Sequence, residues 1–260
     1  MATKQSRLAV DPETLRAEVR TKYEEVALNP DGQFHFHTGR PLAERLGYPA
    51  DIVSRLPDEA VASFAGVDNP FAPAPLPEGS RVVDLGSGGG FDCFVASHMV
   101  GPTGQVVGVD MTPAMLARAR RVADQIGAGN VEFRDGILEE LPVADGWADV
   151  VMSNGVLNLV ADKPRVFSEA RRVVREGGWL QFADIATGAE VPEQARCDIG
   201  LWTDCIAGSH SIDEWCDLIT DAGFTDVSVG LAIDTFGGAP GERNARTFKV
   251  YGHTFRARAA

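Results

Sequence analysis

The chain has 260 residues, of which 44% are hydrophobic, and its 24 Lys and Arg against 37 Asp and Glu give a formal net charge of −13. This length and apolar content predict one sizeable core in a single, decorated domain. The negative charge argues against a nucleic acid partner, because such a partner is held by neutralising its phosphates with basic side chains.

Membrane, secreted and metal-binding classes are also disfavoured. No run approaches the roughly 18 apolar residues of a membrane span, and the N-terminal MATKQSRLAV lacks the apolar core of a signal peptide. We therefore expect a cytoplasmic protein with no membrane partner. The four cysteines show no CxxC spacing, which favours reduced thiols and predicts no metal site. No pattern predicts an oligomeric state.

The N-terminal part of the chain is predicted to form a cover. An Asp-Pro pair followed by apolar residues at helical spacing predicts an amphipathic helix over residues 11–27. Residues 29–79 contain many prolines and glycines, which is typical of an irregular, partly helical segment. We expect residues 1–79 to form a helix and substrate-side cover, and residues 80–260 to form the regular domain.

Strand-like and helical runs alternate after residue 80, in the order RVVDL, FDCFVASHMV, QVVGVD, PAMLARARRVADQIG and VEFRD. The alternation continues with ADVVMSN as a strand, DKPRVFSEARRVVREGG as a helix and WLQFADI as a strand. This order predicts a doubly wound, mostly parallel α/β sheet. An insertion with helices is predicted at about residues 191–210, followed by a helix, SIDEWCDLITDAGF, and two closing strands, TDVSVGLAI and RTFKVYGHTF.

A glycine-rich turn, GSGGGFD, follows the first predicted strand. Gly86, Gly88 and Gly90 lack the Cβ atoms that would keep a ligand away from the carboxyl end of the strand. Phe91 stands where the dinucleotide pattern GxGxxG requires a third glycine, and no GK[ST] of a phosphate loop follows. The turn therefore predicts a ligand that lies against its backbone. It matches neither the dinucleotide-binding pattern nor the phosphate loop.

Acidic residues end the next two strands. Asp110 can accept two hydrogen bonds from a ribose diol, or it can cap the following helix. Asp135, followed by Gly136, can accept the amino group of adenine, or it can cap a turn. Met111 can pack on the adenine ring, or it can fill a gap in the core. These positions predict a nucleoside in the crevice.

Several motifs in this order resemble one protein family, the class I methyltransferases that depend on S-adenosylmethionine (SAM) and include quinone-biosynthesis and arsenite enzymes. The motifs are VVDLGSGGGFD, VVGVDMTPAMLARAR, NVEFRDGILEELP, ADVVMSNGVLNLVADK and RRVVREGGWLQFADI. The resemblance extends to the arsenite branch through VRTKYEEVA, DNPFAPAPLPEG, CIAGSHSIDEW and AGFTDVSV. It implies a Rossmann-like sheet of seven strands, with the seventh antiparallel near RTFKVYGHTF.

The resemblance also implies the cofactor and where it binds. SAM would be the methyl donor and S-adenosylhomocysteine (SAH) the product. The methionine portion of SAM would lie against the glycine turn, its ribose on Asp110, and its sulfonium beside Asn154. The candidate cofactor-binding residues are Asp84, Gly86, Ser87, Gly88, Asp110, Met111, Asp135, Gly136 and Asn154.

The chain departs from the arsenite branch at the positions that hold arsenic. Those relatives bind trivalent arsenic with cysteines, whereas here Gly155 stands in the turn after the fourth strand, and Val67 and Asp68 precede the NP pair. The N-terminal segment, where the relatives have another cysteine, reads FHFHTG, and only the cysteine of the CIAGSH segment, Cys205, remains. A lone thiolate cannot replace the several thiolates that a thiophilic ion needs, so this departure disfavours arsenite methylation.

Four residues are candidates for the reaction itself. His35 and His37, with His210 third, are possible general bases, because imidazole titrates near neutral pH. The alternative for FHFHTG is an extended or turn segment whose histidines face water. Cys205 can be a ligand or a small buried apolar residue, and Asn158 can orient a substrate or cap a turn.

Three functions follow from these patterns. The first is SAM-dependent methyl transfer, by in-line displacement, to a small molecule with an O, S, N or acidic C nucleophile. The second is methylation of arsenite or another metalloid through an altered site. The third is a non-catalytic SAM-binding protein that has lost its acceptor site.

Overall fold

A computed structural model describes residues 10–30, 32–189, 191–203 and 205–260. Within them, seven strands form one sheet in the order β3-β2-β1-β4-β5-β7-β6. The neighbours among β1 to β5 pair in parallel, and β7 pairs antiparallel with β5 and β6. The strands are β1 Arg81–Leu85, β2 Gln105–Asp110, β3 Val131–Asp135, β4 Ala148–Asn154, β5 Val174–Thr187, β6 Phe224–Val229 and β7 Val250–Ala259. The predicted fold, including the antiparallel seventh strand, is confirmed.

Eleven helices surround the sheet in the part of the chain that the structure describes. They are α1 Pro12–Leu28, α2 Gly39–Arg45, α3 Ala50–Val53, α4 Asp58–Ala62, α5 Phe91–Val100, α6 Pro113–Ile126, α7 Lys163–Val173, α8 Glu193–Arg196, α9 Ile199–Thr203, α10 Ile212–Asp221 and α11 Glu242–Phe248. None of these described helices is both long and apolar enough to cross a membrane.

Side-chain alternation along the central strands builds a core on each face of the sheet. In β1, Val82 belongs to the core shared with α5, α6 and the cover, whereas Val83 and Leu85 belong to the core shared with α7 and α10. Successive side chains of a strand point to opposite faces, so a strand buried on both sides is apolar throughout. The carboxyl ends of β1 to β4 are thereby held along one edge of the sheet.

Several predicted boundaries differ from the structure: α10 ends at Asp221, β6 covers Phe224–Val229 only, and the limits of α7 and β7 also differ. The helix predicted to run to the glycine pair at 177–178 ends at Val173, because Val174 is already extended with a ψ of 135° and begins β5. The strand predicted over RTFKVYGHTF begins only at Val250, because its first residues complete α11. Lys249, with a φ of 52°, ends that helix in the left-handed conformation.

The cover packs directly on the sheet domain. Asp11 caps α1, accepting a hydrogen bond of 2.9 Å from the Thr14 amide, and Leu15 and Val19 then fall on its buried side. These two residues share an apolar cluster with Leu159, in the loop after β4. The boundary predicted between residues 79 and 80 lies in the loop before β1 and remains a prediction.

Candidate cofactor and acceptor site

A cavity of about 1040 Å³, including its open mouth, lies at the carboxyl ends of β1 to β4. Its floor is the glycine turn, and its sides come from the loops after β2, β3 and β4. α1 and the cover segment 63–66 form the remaining wall. Such a crevice, outside the carboxyl ends of the strands, is where α/β sheets bind ligands.

The glycine turn has a backbone that side chains would disturb. Gly86 and Gly88 have φ values of +71° and +51°, in the left-handed region. A Cβ on Gly86 would lie 2.6 Å from the side chain of Val156, on the opposite wall of the cavity. The turn therefore needs glycine both for its conformation and for the close approach of the loop after β4.

Asp110 is held in place by the backbone. Its Oδ2 accepts a hydrogen bond of 2.8 Å from the Gly88 amide, and its Oδ1 accepts one of 2.8 Å from the Thr112 amide. Burial raises the pKa of Asp110, and these two hydrogen bonds oppose the shift. A carboxylate oxygen has two lone pairs, so each oxygen can still accept a hydroxyl. This geometry suits a vicinal diol.

The residues predicted next to adenine, Met111, Asp135 and Ile137, occupy different surroundings. Met111, Gly136 and Ile137 line the cavity beyond Asp110. Asp135 is exposed and does not line it. Beyond β3 the cavity is therefore lined by Gly136, Ile137, Leu138 and Glu139, and not by Asp135.

The β1 and β4 end of the cavity holds a buried polar network that was not found from the sequence. Asp92, in the first turn of α5, accepts a 2.6 Å hydrogen bond from the Tyr48 hydroxyl at Oδ1 and one of 3.1 Å from Asn154 Nδ2 at Oδ2. Asn154 Nδ2 also lies 2.8 Å from the Tyr48 oxygen. Burial raises the pKa of Asp92 to about 6, although both hydrogen bonds lower it. The network joins the cover to the sheet domain.

Two observations show that the cavity fits SAM. The Ser87 Oγ is buried in the cavity wall, and it has no hydrogen-bond partner among the described atoms. The backbone of Gly86 to Gly88 forms a cradle that side chains would fill. Most of the predicted cofactor residues line this space, namely Gly86, Ser87, Gly88, Asp110, Met111, Gly136 and Asn154, whereas Asp84 and Asp135 do not. When bound, SAM supplies an electrophilic methyl group.

None of the four predicted catalytic residues lines the described cavity. His37 Nε2 lies 3.0 Å from the Gly237 carbonyl oxygen and 3.2 Å from Arg45 Nη1, away from the glycine turn. Burial lowers the pKa of His35 to about 3, which leaves its imidazole unprotonated at neutral pH and a weak base. Their catalytic roles stay predictions.

Asn158 supports the wall of the cavity from behind. Its backbone amide and its Nδ2 both donate to the Asp184 carboxylate, at 3.1 and 2.9 Å. Lys163 Nζ donates to the carbonyl oxygens of Asn158 and Val160, at 3.1 and 2.9 Å. Asp184 and Lys163 lie within two of the motifs quoted above, but the sequence does not single them out, because their partners come from other elements.

The positions of the missing cysteines converge in space. A Cβ on Gly155 would lie 3.1 Å from Val67 Cγ1, so these two positions are adjacent. Cys205 is buried and belongs to the same apolar cluster as Val67 and Trp202. The region in which the resemblance implies several thiolates is therefore mainly apolar in this chain.

Comparisons with known proteins agree with this geometry. The family model for a methyltransferase domain matches residues 76–223. The arsenite methyltransferase of Halobacterium salinarum is 40% identical over 84% of this chain and 59% of its own length, and that of Aquipseudomonas alcaligenes is 39% identical over 67% and 52%. The chain thus spans between half and two thirds of these curated relatives.

Solved structures give the same result. The arsenic(III) S-adenosylmethionine methyltransferase of Chlamydomonas reinhardtii superimposes with a TM-score of 0.65 and 31% identity, covering 86% of this chain and 74% of that one. A phosphoethanolamine N-methyltransferase of Haemonchus contortus in complex with SAM shares the fold, with a TM-score of 0.59 and 17% identity over 72% and 50% of the two chains. The chain belongs to the class I SAM-dependent methyltransferases, in the branch of the arsenite methyltransferases.

Proposed function

We propose that this protein transfers the methyl group of SAM to a small-molecule acceptor with an O, S, N or acidic C nucleophile. The observation that supports this most is Asp110, whose two oxygens are oriented by backbone amides at the rim of the glycine turn. In-line displacement at a sulfonium needs the nucleophile to be positioned and stripped of water, and it needs no covalent enzyme intermediate.

In this proposal each wall of the cavity binds a different part of SAM. The ribose hydroxyls bind Asp110, and the adenine lies between Met111 and Ile137. The methionine portion follows the backbone from Gly86 to Gly88, with its sulfonium beside Asn154. Asp84 and Asp135 do not contact SAM in this proposal, since neither lines the cavity. They stabilise the loops that shape the site.

The acceptor is a small molecule with a substantial apolar part. The walls that SAM leaves free are mostly aliphatic, from Leu159 to Ala161 in the loop after β4 and from Leu15 and Val19 in α1. Apolar walls exclude water, and they bind ligands by burying apolar surface.

A protein of this net charge that acts on a metabolite, without nucleic acid or membrane partners, is proposed to work in the cytoplasm.

Methylation of a trivalent metalloid is the second candidate. Two observations favour it, the 40% identity to an arsenite methyltransferase and the retention of Cys205 in the cluster beside Val67. Val67 and Gly155, which stand where the arsenite branch has cysteines, lack thiols. Metalloid methylation therefore ranks second. If this candidate is right, Cys205→Ser abolishes binding of trivalent arsenic.

Titration calorimetry with SAM tests the cofactor site. We expect Asp110→Ala to weaken SAM binding by about 100-fold, because two hydrogen bonds to a carboxylate are worth about 3 kcal/mol together. Asp124→Ala, an exposed carboxylate on the following helix, is the matched control and should bind SAM normally. Wild-type protein that does not bind SAM, or binding that survives Asp110→Ala unchanged, would contradict the assignment.

Turnover separates the enzyme from a binding protein. SAH formation is measured with a library of small hydroxyl, thiol, amine and acidic-carbon acceptors, and separately with trivalent arsenic. We expect turnover with a member of the library. A protein that binds SAM tightly and forms no SAH with any of these acceptors would be a non-catalytic SAM-binding protein, the third function that the sequence leaves open.

A further inference from the structure

The methionine end of the cavity combines one buried carboxylate with aromatic rings. Asp92 is 7% exposed and lines the cavity, as do Phe64 and Phe91. The rings of Phe64 and Phe91 have centroids 4.3 Å apart, and the Tyr48 ring lies 5.0 Å from that of Phe91. A carboxylate beside aromatic faces is the environment that proteins use to bind organic cations.

The carboxylate of Asp92 lacks a cationic partner among the residues described around the cavity. Arg16 is the one basic side chain in the described lining, and its Nη2 is paired with Glu139 Oε1 at 3.0 Å. On the sheet side, Asp92 interacts electrostatically with another carboxylate, that of Asp84, and raises its pKa. A buried carboxylate with no counter-charge is costly, and an arriving cation would relieve that cost.

Tyr48 and Asn154 fix the direction of the Asp92 carboxylate. One oxygen accepts from the tyrosine and the other from the amide, so the side chain cannot rotate without losing a hydrogen bond. Each oxygen keeps a lone pair that can accept from a ligand. The site is therefore organised before a ligand arrives.

The order of the strands places this carboxylate at the correct end of SAM. The order β3-β2-β1-β4 puts Gly136 and Asp110 on one side of the glycine turn and Asn154 on the other, and the hydrogen bond of 3.1 Å from Asn154 Nδ2 places Asp92 beside Asn154. A ligand with its ribose on Asp110 and its adenine toward β3 extends its methionine portion over β1 and β4. Its α-ammonium group then lies on the side of Asp92.

We propose that Asp92, oriented by Tyr48 and Asn154, is the carboxylate that receives the α-ammonium group of SAM. The inference rests on the proposed function and identifies a binding residue of the same site. Asp84, one of the cofactor-binding residues predicted from the sequence, is 2% exposed, accepts a hydrogen bond of 3.2 Å from the Cys93 thiol and does not line the cavity. Its role is to support the turn.

Cofactor binding is then linked to a proton. Burial raises the pKa of Asp92 to about 6, and the groups that face it are the Tyr48 hydroxyl from the cover, the Asn154 amide from β4 and the Asp84 carboxylate from β1. An ammonium group within hydrogen-bond distance favours the ionised carboxylate and lowers its pKa. Binding at about pH 6 therefore releases part of a proton from Asp92.

The test is titration calorimetry with two stable ligands, SAH and its analogue that lacks the α-amino group. With wild-type protein at about pH 7.5 we expect SAH to bind about 10- to 100-fold more tightly than the analogue, the range of one hydrogen-bonded charge pair. Asp92→Asn should weaken SAH by a similar factor and leave the analogue nearly unchanged. At about pH 6, in two buffers of different ionisation enthalpy, wild-type protein should release protons with SAH and not with the analogue.

Two variants serve as controls. Tyr48→Phe leaves the carboxylate and removes its orienting hydroxyl, so we expect it to reduce the preference for SAH by a few-fold. Asp84→Asn should keep the full preference for SAH. The wild-type comparison of the two ligands needs no variant, and it holds even if Asp92→Asn does not fold.

Three outcomes would overturn the inference. The first is wild-type protein that binds SAH and the analogue equally, and the second is Asp92→Asn that keeps the preference for SAH. The third is Asp84→Asn that loses the preference while Asp92→Asn retains it. Wild-type protein that binds neither SAM nor SAH refutes the proposed function itself, a result that is distinct from all three.

Discussion

At the residue scale, Lys163 is a buried charge that serves the cavity wall indirectly. It is 3% exposed, and its Nζ lies 4.9 Å from the centre of the Trp202 ring as well as donating to the Val160 carbonyl. Burial lowers its pKa to about 7, and the Asp184 carboxylate opposes the shift. Lys163 thus ties the loop after β4 to the inserted helix α9.

We predict that Lys163→Met destabilises the protein by about 3 kcal/mol, because it leaves the buried Asp184 without its counter-charge. The measurement is the free energy of unfolding in urea. The double variant Lys163→Met with Asp184→Asn removes both charges and should recover much of the loss. A single variant as stable as the wild type would mean that the pair contributes nothing.

A functional residue can be predicted from the sequence where its hydrogen-bond partners belong to the same motif or to a neighbouring one. Asp110 was predicted because it ends a strand beside the glycine turn, and its two hydrogen-bond donors lie within that local arrangement. Asp92 was not predicted, because its partner Tyr48 is 44 residues away and the position alone reads as an acidic residue in the first turn of a helix. Only the packing of the cover on the sheet brings the two together.

At the element scale, α1 forms a wall of the cofactor cavity. Leu15 and Val19 line the cavity, and Arg16 is paired with Glu139 in the loop after β3. At the other end of the helix, the Arg118 guanidinium donates to the Ala27 carbonyl oxygen at 2.9 Å. The spacing of apolar residues predicted this helix, but an apolar stripe does not reveal what it will cover.

We predict that Arg16→Ala speeds the dissociation of SAH by about 5-fold, since a partly buried ion pair is worth about 1 kcal/mol. Stopped-flow fluorescence measures the rate. Arg20→Ala changes an exposed arginine of the same helix and should leave the rate unchanged. Equal rates for Arg16→Ala and the wild type would show that the ion pair does not hold the helix on the cavity.

The boundaries of elements were predicted less well than their order. The order of strands and helices follows from hydrophobic alternation, which the two cores of the sheet enforce. The end of α7 and the start of β7 depend instead on Val174, which pairs with Ala148 of β4, and on Val250, which pairs with Thr187 of β5. The hydrophobic periodicity of the sequence around these residues does not indicate pairing with a distant strand.

At the scale of the whole molecule, acidic residues outnumber basic ones, and two of them, Asp92 and Asp110, line the cavity. SAM carries a sulfonium and an ammonium against a single carboxylate, so an acidic cavity attracts it. SAH lacks the sulfonium charge. This difference favours release of the product over the substrate.

We predict that a saturating concentration of SAM raises the melting temperature by a few degrees more at about pH 7.5 than at about pH 5. At the lower pH Asp92 is protonated, since burial raises its pKa to about 6, and the neutral acid binds an ammonium group weakly. In Asp92→Asn the shift produced by SAM should be nearly independent of pH. Differential scanning fluorimetry measures both proteins, and an equally pH-dependent shift in the variant would contradict the prediction.

The hydroxyl of Tyr48 comes from the cover, and the carboxylate that it orients comes from the sheet domain. A chimera that joins the cover of one relative to the sheet of another therefore exchanges part of the cofactor site together with the acceptor wall. A graft whose cover lacks a tyrosine at this place should bind SAM a few-fold more weakly. Diversification of acceptors through the cover is therefore constrained at Tyr48.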